Sequence, residues 1–173
     1  KEFKEIWINA GDKKFKGIKK EIRTKLMRFE TRAEDVAKEM TVFDFSTFEA
    51  KLFRKSTDKN NVQYHFNLVI NKNIKNNKIG TAESYKYTLN SLASYVDKDN
   101  SKNQDSNINK LTFETINIDW LNDYESFMLS NGKSYTTIGI YTRTLRVVFN
   151  NAIDSKDIHE DIYPFGKKKY QIP

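Results

Sequence analysis

Two stretches of the chain decide its fold: TAESYKYTLNSLASYV, residues 81–96, and SYTTIGIYTRTLRVVFNNAI, residues 134–153. In both, apolar side chains recur every three or four positions, which places them along one side of an α-helix. The remaining positions are rich in hydroxyl-bearing and basic side chains. The pattern therefore predicts two helices that each bury one stripe and expose a polar face carrying positive charge.

Helical periodicity also extends to both sides of these stretches, and it predicts an all-α protein. We predict a four-helix bundle within residues 61–163, in which residues 62–76 form the first helix and residues 118–130 the third. Four such helices bury enough large apolar side chains to offset the conformational entropy lost on folding. No convincing strand pattern interrupts them.

Capping residues and glycines set the expected helix ends. Thr81 is expected to cap the second helix and Ser134 the fourth, because a side-chain oxygen there can accept a hydrogen bond from an amide of the first turn. Gly80 is expected to end the first helix in a left-handed conformation. Residues 97–110 are rich in Asn and Ser, and we predict an exposed, mobile loop there.

Residues 1–60 form a separate N-terminal part in this interpretation. Apolar spacing within residues 18–40 predicts one long amphipathic helix whose other sides carry charges of both signs. Residues 47–53 are predicted to form a short helix, which Ser46 and Glu49 would cap reciprocally.

The charge of the chain favours a polyanionic partner. The formal net charge is +7 and the sequence pI is near 9.3, and binding to phosphate gains free energy from counterion release. Residues 164–173 contain three consecutive lysines and are predicted to form an extended basic tether. The alternative is that a lysine-rich composition reflects solubility alone.

Other functional classes find little support in the sequence. The chain has no cysteine, which removes disulfides, thiolate metal sites and cysteine nucleophiles. No apolar run reaches the roughly 18 residues of a membrane helix, so we expect a soluble, cytoplasmic protein with no membrane partner. Neither His65 nor His159 belongs to a metal-binding pair, and no phosphate loop or catalytic triad is present. We therefore expect no catalysis, metal, cofactor or small-molecule substrate.

The fourth helix carries the most specific local signal. Its polar face contains Thr136, Arg143, Arg146 and Asn150 around Gly139. Arginine can fork onto phosphate or a guanine edge, and the helix N-terminus favours an anion. A glycine inside a helix costs about 1 kcal/mol relative to alanine, and one reason to keep it is close approach of another backbone. An ordinary solvated face that happens to hold two arginines is the alternative.

The second helix also carries hydroxyl-bearing and basic side chains near its start. Each of the two helices contains a motif of defined spacing. The T-x-x-S-Y-x-x-T-L spacing begins at Thr81, and the Y-x-R-T-L-R-x-x-F-N-x-A run occupies residues 141–152. Together with YPFGKKKYQIP, they resemble the SAM-like core-binding domain of phage-type integrases in the tyrosine recombinase family, particularly the Bacteroides-type branch. The resemblance covers about residues 62–173. Within residues 1–60, the stretches INAGDKKF (8–15) and DFSTFEAKLF (44–53) are similar to the linker that joins this domain to an upstream arm-binding domain.

This resemblance implies a fold and a function. The fold would be a SAM-like four-helix bundle that forms half of a clamp around duplex DNA beside the strand-exchange site, with its second and fourth helices in the major groove. The partners implied are double-stranded DNA and, on that DNA, the other recombinase subunits of a tetramer. The DNA-contacting residues carried over are Ser84, Lys86, Tyr87, Thr136, Thr137, Arg143 and Arg146.

The family's catalytic residues have no counterpart in this chain. In the His-x-x-Arg motif of the family, an arginine follows the histidine three residues later. In this chain Leu68 follows His65 at that spacing, and Ile162 follows His159. We therefore expect a fragment that binds DNA without cutting it, with residues 164–173 leading to a missing catalytic domain. Two alternatives stay open: a helical protein-interaction module and a stand-alone DNA-binding regulator.

Overall fold

The structure is a computed structural model that describes residues 4–8, 14–40, 42–98 and 107–173. The chain divides into two compact units, Lys1–Arg54 and Lys55–Pro173. The fold is all-helical, as predicted. Within the described ranges no strand forms, and β-type pairing is limited to two isolated bridges.

The described part of the N-terminal unit contains a π-helical turn at Lys4–Ile8 and two α-helices. The first, α1 (Gly17–Lys38), agrees with the predicted long helix, but none of its residues is fully buried. The second, α2 (Phe45–Phe53), starts earlier than predicted because its N-cap is Asp44, whose carboxylate accepts a hydrogen bond from the amide of Thr47 at 2.8 Å. The predicted cap at Ser46 was therefore wrong.

Four helices form the second unit: α3 (Val62–Lys75), α4 (Ile79–Val96), α5 (Ile118–Ser130) and α6 (Tyr135–Asp154). The bounds of α5 agree with the prediction. Ser134 caps α6, as predicted, by accepting a hydrogen bond from the amide of Thr137 at 3.3 Å. The four helices pack on one another around a single apolar core.

The junction between α3 and α4 differs from the prediction. Asn77, not Gly80, adopts the left-handed conformation, with φ of 56°. The amide of Lys78 then donates to the carbonyl of Asn73 at 2.9 Å, which completes a common helix-ending motif. Asn tolerates this conformation better than most residues, so α3 ends early and Gly80 lies in the first turn of α4. Thr81 is consequently not the cap.

The segment LTFETI, residues 111–116, contributes core residues that helical periodicity did not reveal. Leu111, Phe113 and Ile116 are all buried. Backbone hydrogen bonds tie the segment to the start of α3, from Val62 to the carbonyl of Leu111 at 3.0 Å and from Phe113 to that of Asn60 at 3.1 Å.

The loop between α4 and this segment is held at both ends. Its last residues form a short 3₁₀ helix, Asn107–Lys110, and the amide of Asn107 donates to the carboxylate of Asp97 at 2.7 Å. Residues 99–106 of the predicted mobile loop lie outside the described residues.

Residues 164–173, which we call the C-terminal segment, fold back onto the bundle, whereas we predicted an extended tether. Phe165 and Tyr170 are 5% and 4% exposed and belong to the core. The Tyr170 hydroxyl donates to the Glu125 carboxylate of α5 at 2.6 Å. The predicted conformation was wrong, because burying the two aromatic rings stabilises the folded-back segment more than solvation of the three lysines between them favours an extended one.

None of the described helices is long and apolar enough to cross a membrane.

Candidate nucleic-acid interface

Helices α4 and α6 lie in contact within the bundle, so the structure brings together the two helices whose polar faces the sequence singled out. Each buries an apolar stripe in the common core, including Leu92 on α4 and Leu145 on α6. The faces opposite these stripes are left for solvent or a partner.

The exposed face of α6 carries two positive charges near the middle of the helix. Thr136, Arg143 and Arg146 are exposed, which contact with DNA would require. From Tyr135 to Ile153 the helix contains no acidic residue, so no charge on α6 itself offsets its arginines before Asp154. Such a face attracts phosphate and gains from counterion release.

Thr137 differs from the other candidates on α6. Its side chain is half-buried, and its hydroxyl lies 3.1 Å from that of Ser134 in the capping arrangement. The structure therefore gives Thr137 a role at the helix start, which competes with contact to a ligand. Its assignment to DNA stays a prediction.

Gly139 is buried because another backbone occupies the space beside it, as the sequence led us to expect. A Cβ atom at this position would lie 2.5 Å from the carbonyl oxygen of Pro173. It would also lie 3.0 and 3.1 Å from the two terminal nitrogens of Arg143. The C-terminal segment therefore covers part of α6 beside Arg143.

Arg146 has a different neighbourhood from Arg143. Burial raises the pKa of Tyr163, while the positive charge of Arg146 and a hydrogen bond with Asn150 act in the opposite direction. Arg146, Asn150 and Tyr163 are therefore neighbours. Next to them is an open depression, whose lining also includes Ile153, Glu160, Asp161 and Lys169. The two arginines of α6 thus face different parts of the surface.

The DNA-contacting candidates on α4 differ in how far their side chains are exposed. Tyr87 is 59% exposed, whereas Ser84 and Lys86 are half-buried. The ammonium of Lys86 lies 2.7 Å from the carboxylate of Glu83, which offsets its charge in the absence of a ligand. An exposed pair of this kind contributes little to stability, so an anionic ligand could compete for the lysine at small cost.

The two histidines lie in different surroundings. His65 is buried; its Nε2 lies 3.0 Å from the carbonyl of Lys59 and 3.7 Å from the buried carboxylate of Asp157. His159 accepts a hydrogen bond from the amide of Asp161 at 3.4 Å in an exposed turn. Among residues 4–8, 14–40, 42–98 and 107–173, no group of three or more potential metal ligands comes together.

Comparison with models of protein families identifies the family of this bundle. The model of the phage integrase SAM-like domain matches residues 61–172, which include all four bundle helices and nearly all of the C-terminal segment. The chain belongs to the phage integrase SAM-like domain family. All seven DNA-contacting candidates lie within the SAM-like domain, and so does the lysine run. Neither the curated proteins nor the solved structures contain a match to the chain.

Residues of the C-terminal segment are the part of this surface that sequence reasoning missed. From the sequence, the run Lys167–Lys168–Lys169 is predicted to belong to a tether that leaves the domain. The structure instead brings Lys169 to the same depression as Asn150 of α6. Phe165 and Tyr170, which flank the lysines, were the available signal, because large aromatic side chains gain much free energy when they are buried.

Proposed function

We propose that this chain is the DNA-binding, core-binding part of a site-specific tyrosine recombinase of the phage-integrase type. In this proposal α4 and α6 enter the major groove of duplex DNA near the strand-exchange site, and the bundle forms one half of a clamp for DNA integration and recombination. Membership in the SAM-like domain family supports the recombinase class. The Bacteroides-type branch remains a prediction.

One observation carries the DNA-binding part of the proposal: Arg143 and Arg146 are both exposed on α6, and the helix has no acidic residue before Asp154. Arginine is suited to this role because its planar group binds phosphate or guanine through two parallel hydrogen bonds. The contacting residues proposed are the seven given by the resemblance, of which Tyr87, Thr136, Arg143 and Arg146 are the exposed ones.

The remaining roles belong to the recombinase as a whole. We assign strand cleavage and rejoining to a separate catalytic domain, so that this chain positions DNA without cutting it. Residues 1–60 serve as a linker to an arm-binding region, and residues 164–173 lead toward the catalytic domain. Other recombinase subunits, in a tetramer on DNA, are the proposed protein partners.

Fluorescence anisotropy tests the proposal with the 173-residue chain and a labelled 30-base-pair duplex of mixed sequence over a salt series. The variant Arg143→Ala/Arg146→Ala removes both exposed arginines of α6. Each phosphate contact contributes about 0.9 to the slope of log affinity against log salt, so the slope should fall by about two.

Arg28→Ala/Arg32→Ala is the matched control, because it removes two arginines one turn apart on α1. Equal weakening by both variants would reveal an effect of net charge and contradict the assignment to α6. Circular dichroism of each variant checks that the helices are retained.

A second candidate function is a helical protein-interaction module. It is favoured by the N-terminal unit, where several large apolar side chains are more than 60% exposed: Ile18, Val42, Phe45 and Phe53. This alternative predicts weak duplex binding that ignores Arg143 and Arg146, in the same titration. A stand-alone regulator would need a compact helix-turn-helix, whereas the α4 and α6 helices are 18 and 20 residues long.

A further inference from the structure

The lysines of the C-terminal segment lie in a defined turn. The amide of Lys169 donates to the carbonyl of Gly166 at 3.0 Å, and the amide of Gly166 donates to that of Tyr170 at 3.2 Å. Gly166 has φ of 149°, which favours glycine at this position. We call residues 166–169 the lysine turn.

Three contacts hold the lysine turn against the bundle. Phe165 packs on Phe149 of α6 with ring centroids 5.6 Å apart, and the Tyr170 hydroxyl donates to Glu125 of α5. Beyond them, the carbonyl of Pro173 fills the space beside Gly139. Because these anchors lie on both sides of the turn, its backbone is fixed relative to α6.

The charges of the three lysines are not equivalent. Lys169 donates to the carbonyl of Tyr163 and lines the same depression as Glu160 and Asp161, so its charge is partly offset. Lys167 and Lys168 are exposed, and neither forms an ion pair with any residue in the described part of the chain. The turn thus presents two adjacent exposed cations, and residues on both sides of it contact α6.

We propose that the lysine turn is a second phosphate-binding element of the DNA interface, in which Lys167 and Lys168 bind the sugar-phosphate backbone next to the segment read by α6. This inference rests on the proposed function, and it adds residues that the resemblance did not assign. Holding like charges together is unfavourable without an anion, and a polyanion converts that repulsion into binding free energy. Fixing the turn in advance also lowers the entropy cost of ordering the lysines on binding.

The test compares Lys167→Gln/Lys168→Gln with the unaltered chain on the same mixed-sequence duplex. Two lost phosphate contacts should lower the salt slope by about two and weaken binding roughly 10- to 60-fold at 0.1 M salt. The loss should be similar on duplexes of different sequence, because phosphate contacts do not read bases.

Lys98→Gln/Lys110→Gln is the charge-matched control. Lys98 follows the end of α4, about 20 Å from Ser84 at about 1.5 Å per residue. Lys110 ends the short 3₁₀ helix whose first residue, Asn107, donates to Asp97 beside the same end of α4. Removing both lysines should therefore change the slope by much less than two. Equal losses in the two double variants would overturn the inference.

Tyr170→Phe tests the placement of the turn separately from its charge. It retains both lysines and the buried ring but removes the hydroxyl that contacts Glu125. If fixing the backbone of the lysine turn contributes to DNA binding, Tyr170→Phe should weaken binding about two- to threefold and leave the salt slope unchanged. An unaltered affinity in Lys167→Gln/Lys168→Gln would refute the inference, whatever the result for Tyr170→Phe.

The two proposals fail in different ways. If Arg143→Ala/Arg146→Ala weakens binding and the lysine variant does not, the DNA-binding function stands and the lysine turn is not part of the interface. If the unaltered chain has no salt-dependent affinity for duplex DNA, both proposals fall.

Discussion

Replacing Gly139 with alanine tests whether the C-terminal segment is docked where the structure places it. At an open position inside a helix, this change stabilises by about 1 kcal/mol, because alanine loses less backbone entropy on folding. At Gly139 the new Cβ would lie 2.5 Å from the carbonyl oxygen of Pro173, about 1 Å closer than ordinary van der Waals contact. Overpacking of this kind costs about 1–3 kcal/mol.

The expected net result for Gly139→Ala is therefore a loss of about 0–2 kcal/mol in the free energy of unfolding. Gly80→Ala is the matched control, since Gly80 lies in the first turn of α4 and a Cβ there would meet no atom within 4 Å. This control should be neutral or stabilising by up to about 1 kcal/mol. Urea denaturation followed by circular dichroism at 222 nm measures both variants.

Limited proteolysis separates local release of the segment from global destabilisation. If Gly139→Ala displaces the backbone around Pro173, cleavage within the lysine turn should accelerate before the bundle is digested. Equal stabilisation by Gly139→Ala and Gly80→Ala, with unaltered proteolysis, would refute the docking of the C-terminal segment on α6.

Two further predictions concern the core. Burial raises the pKa values of the Tyr124 and Tyr170 hydroxyls well above the usual value near 10, and the carboxylate of Glu125 raises that of Tyr170 further. The folded state therefore keeps both protons to higher pH than the unfolded state, and the stabilisation is fully present below about pH 10. Above it the unfolded state loses its protons first, so the free energy of unfolding should fall as pH rises toward the folded-state pKa values, by up to about 1.4 kcal/mol per pH unit for the more deeply buried Tyr124 and by less for Tyr170. Urea midpoints between pH 8 and 11 measure this, and constant midpoints would contradict it. Phe113→Ala should lower the free energy of unfolding by about 3–5 kcal/mol, because the ring is fully buried and packs 4.7 Å from that of Phe149. Phe53→Ala, at a 66% exposed position, is the control and should cost less; a loss at Phe113 as small as that of the control would contradict its place in the core.

Helical periodicity predicted the bundle because apolar stripes leave a repeating signal in the sequence. The bounds of α5 and the cap at Ser134 followed from local residues alone. The junction at Asn77 did not, since Asn and Gly both tolerate a left-handed conformation and the hydrogen bond of Lys78 to α3 decides between them. Phe113 also escaped prediction, because a buried segment outside a helix has no 3.6-residue period.

The candidate site was predictable to a similar degree. The cationic face of α6 and the close approach at Gly139 follow from residue types and spacing. The separate surroundings of Arg143 and Arg146 do not, because they depend on where the C-terminal segment folds. A run of lysines predicts exposure of the side chains, but it carries no information about whether the backbone beneath them is anchored.

The hydrogen bond between Asp97 and Asn107 has a consequence for how the domain can be altered. Ten residues apart in sequence, these two residues close the connection between α4 and the buried LTFETI segment. The entropy cost of closing a loop rises by only about 0.6 kcal/mol for each doubling of its length. Insertions between Asp97 and Asn107 should therefore cost the bundle little, which makes this connection a suitable place for a fluorophore or a peptide tag. It lies at the opposite end of α4 from Ser84, so a label there would report on DNA binding without occupying the proposed interface.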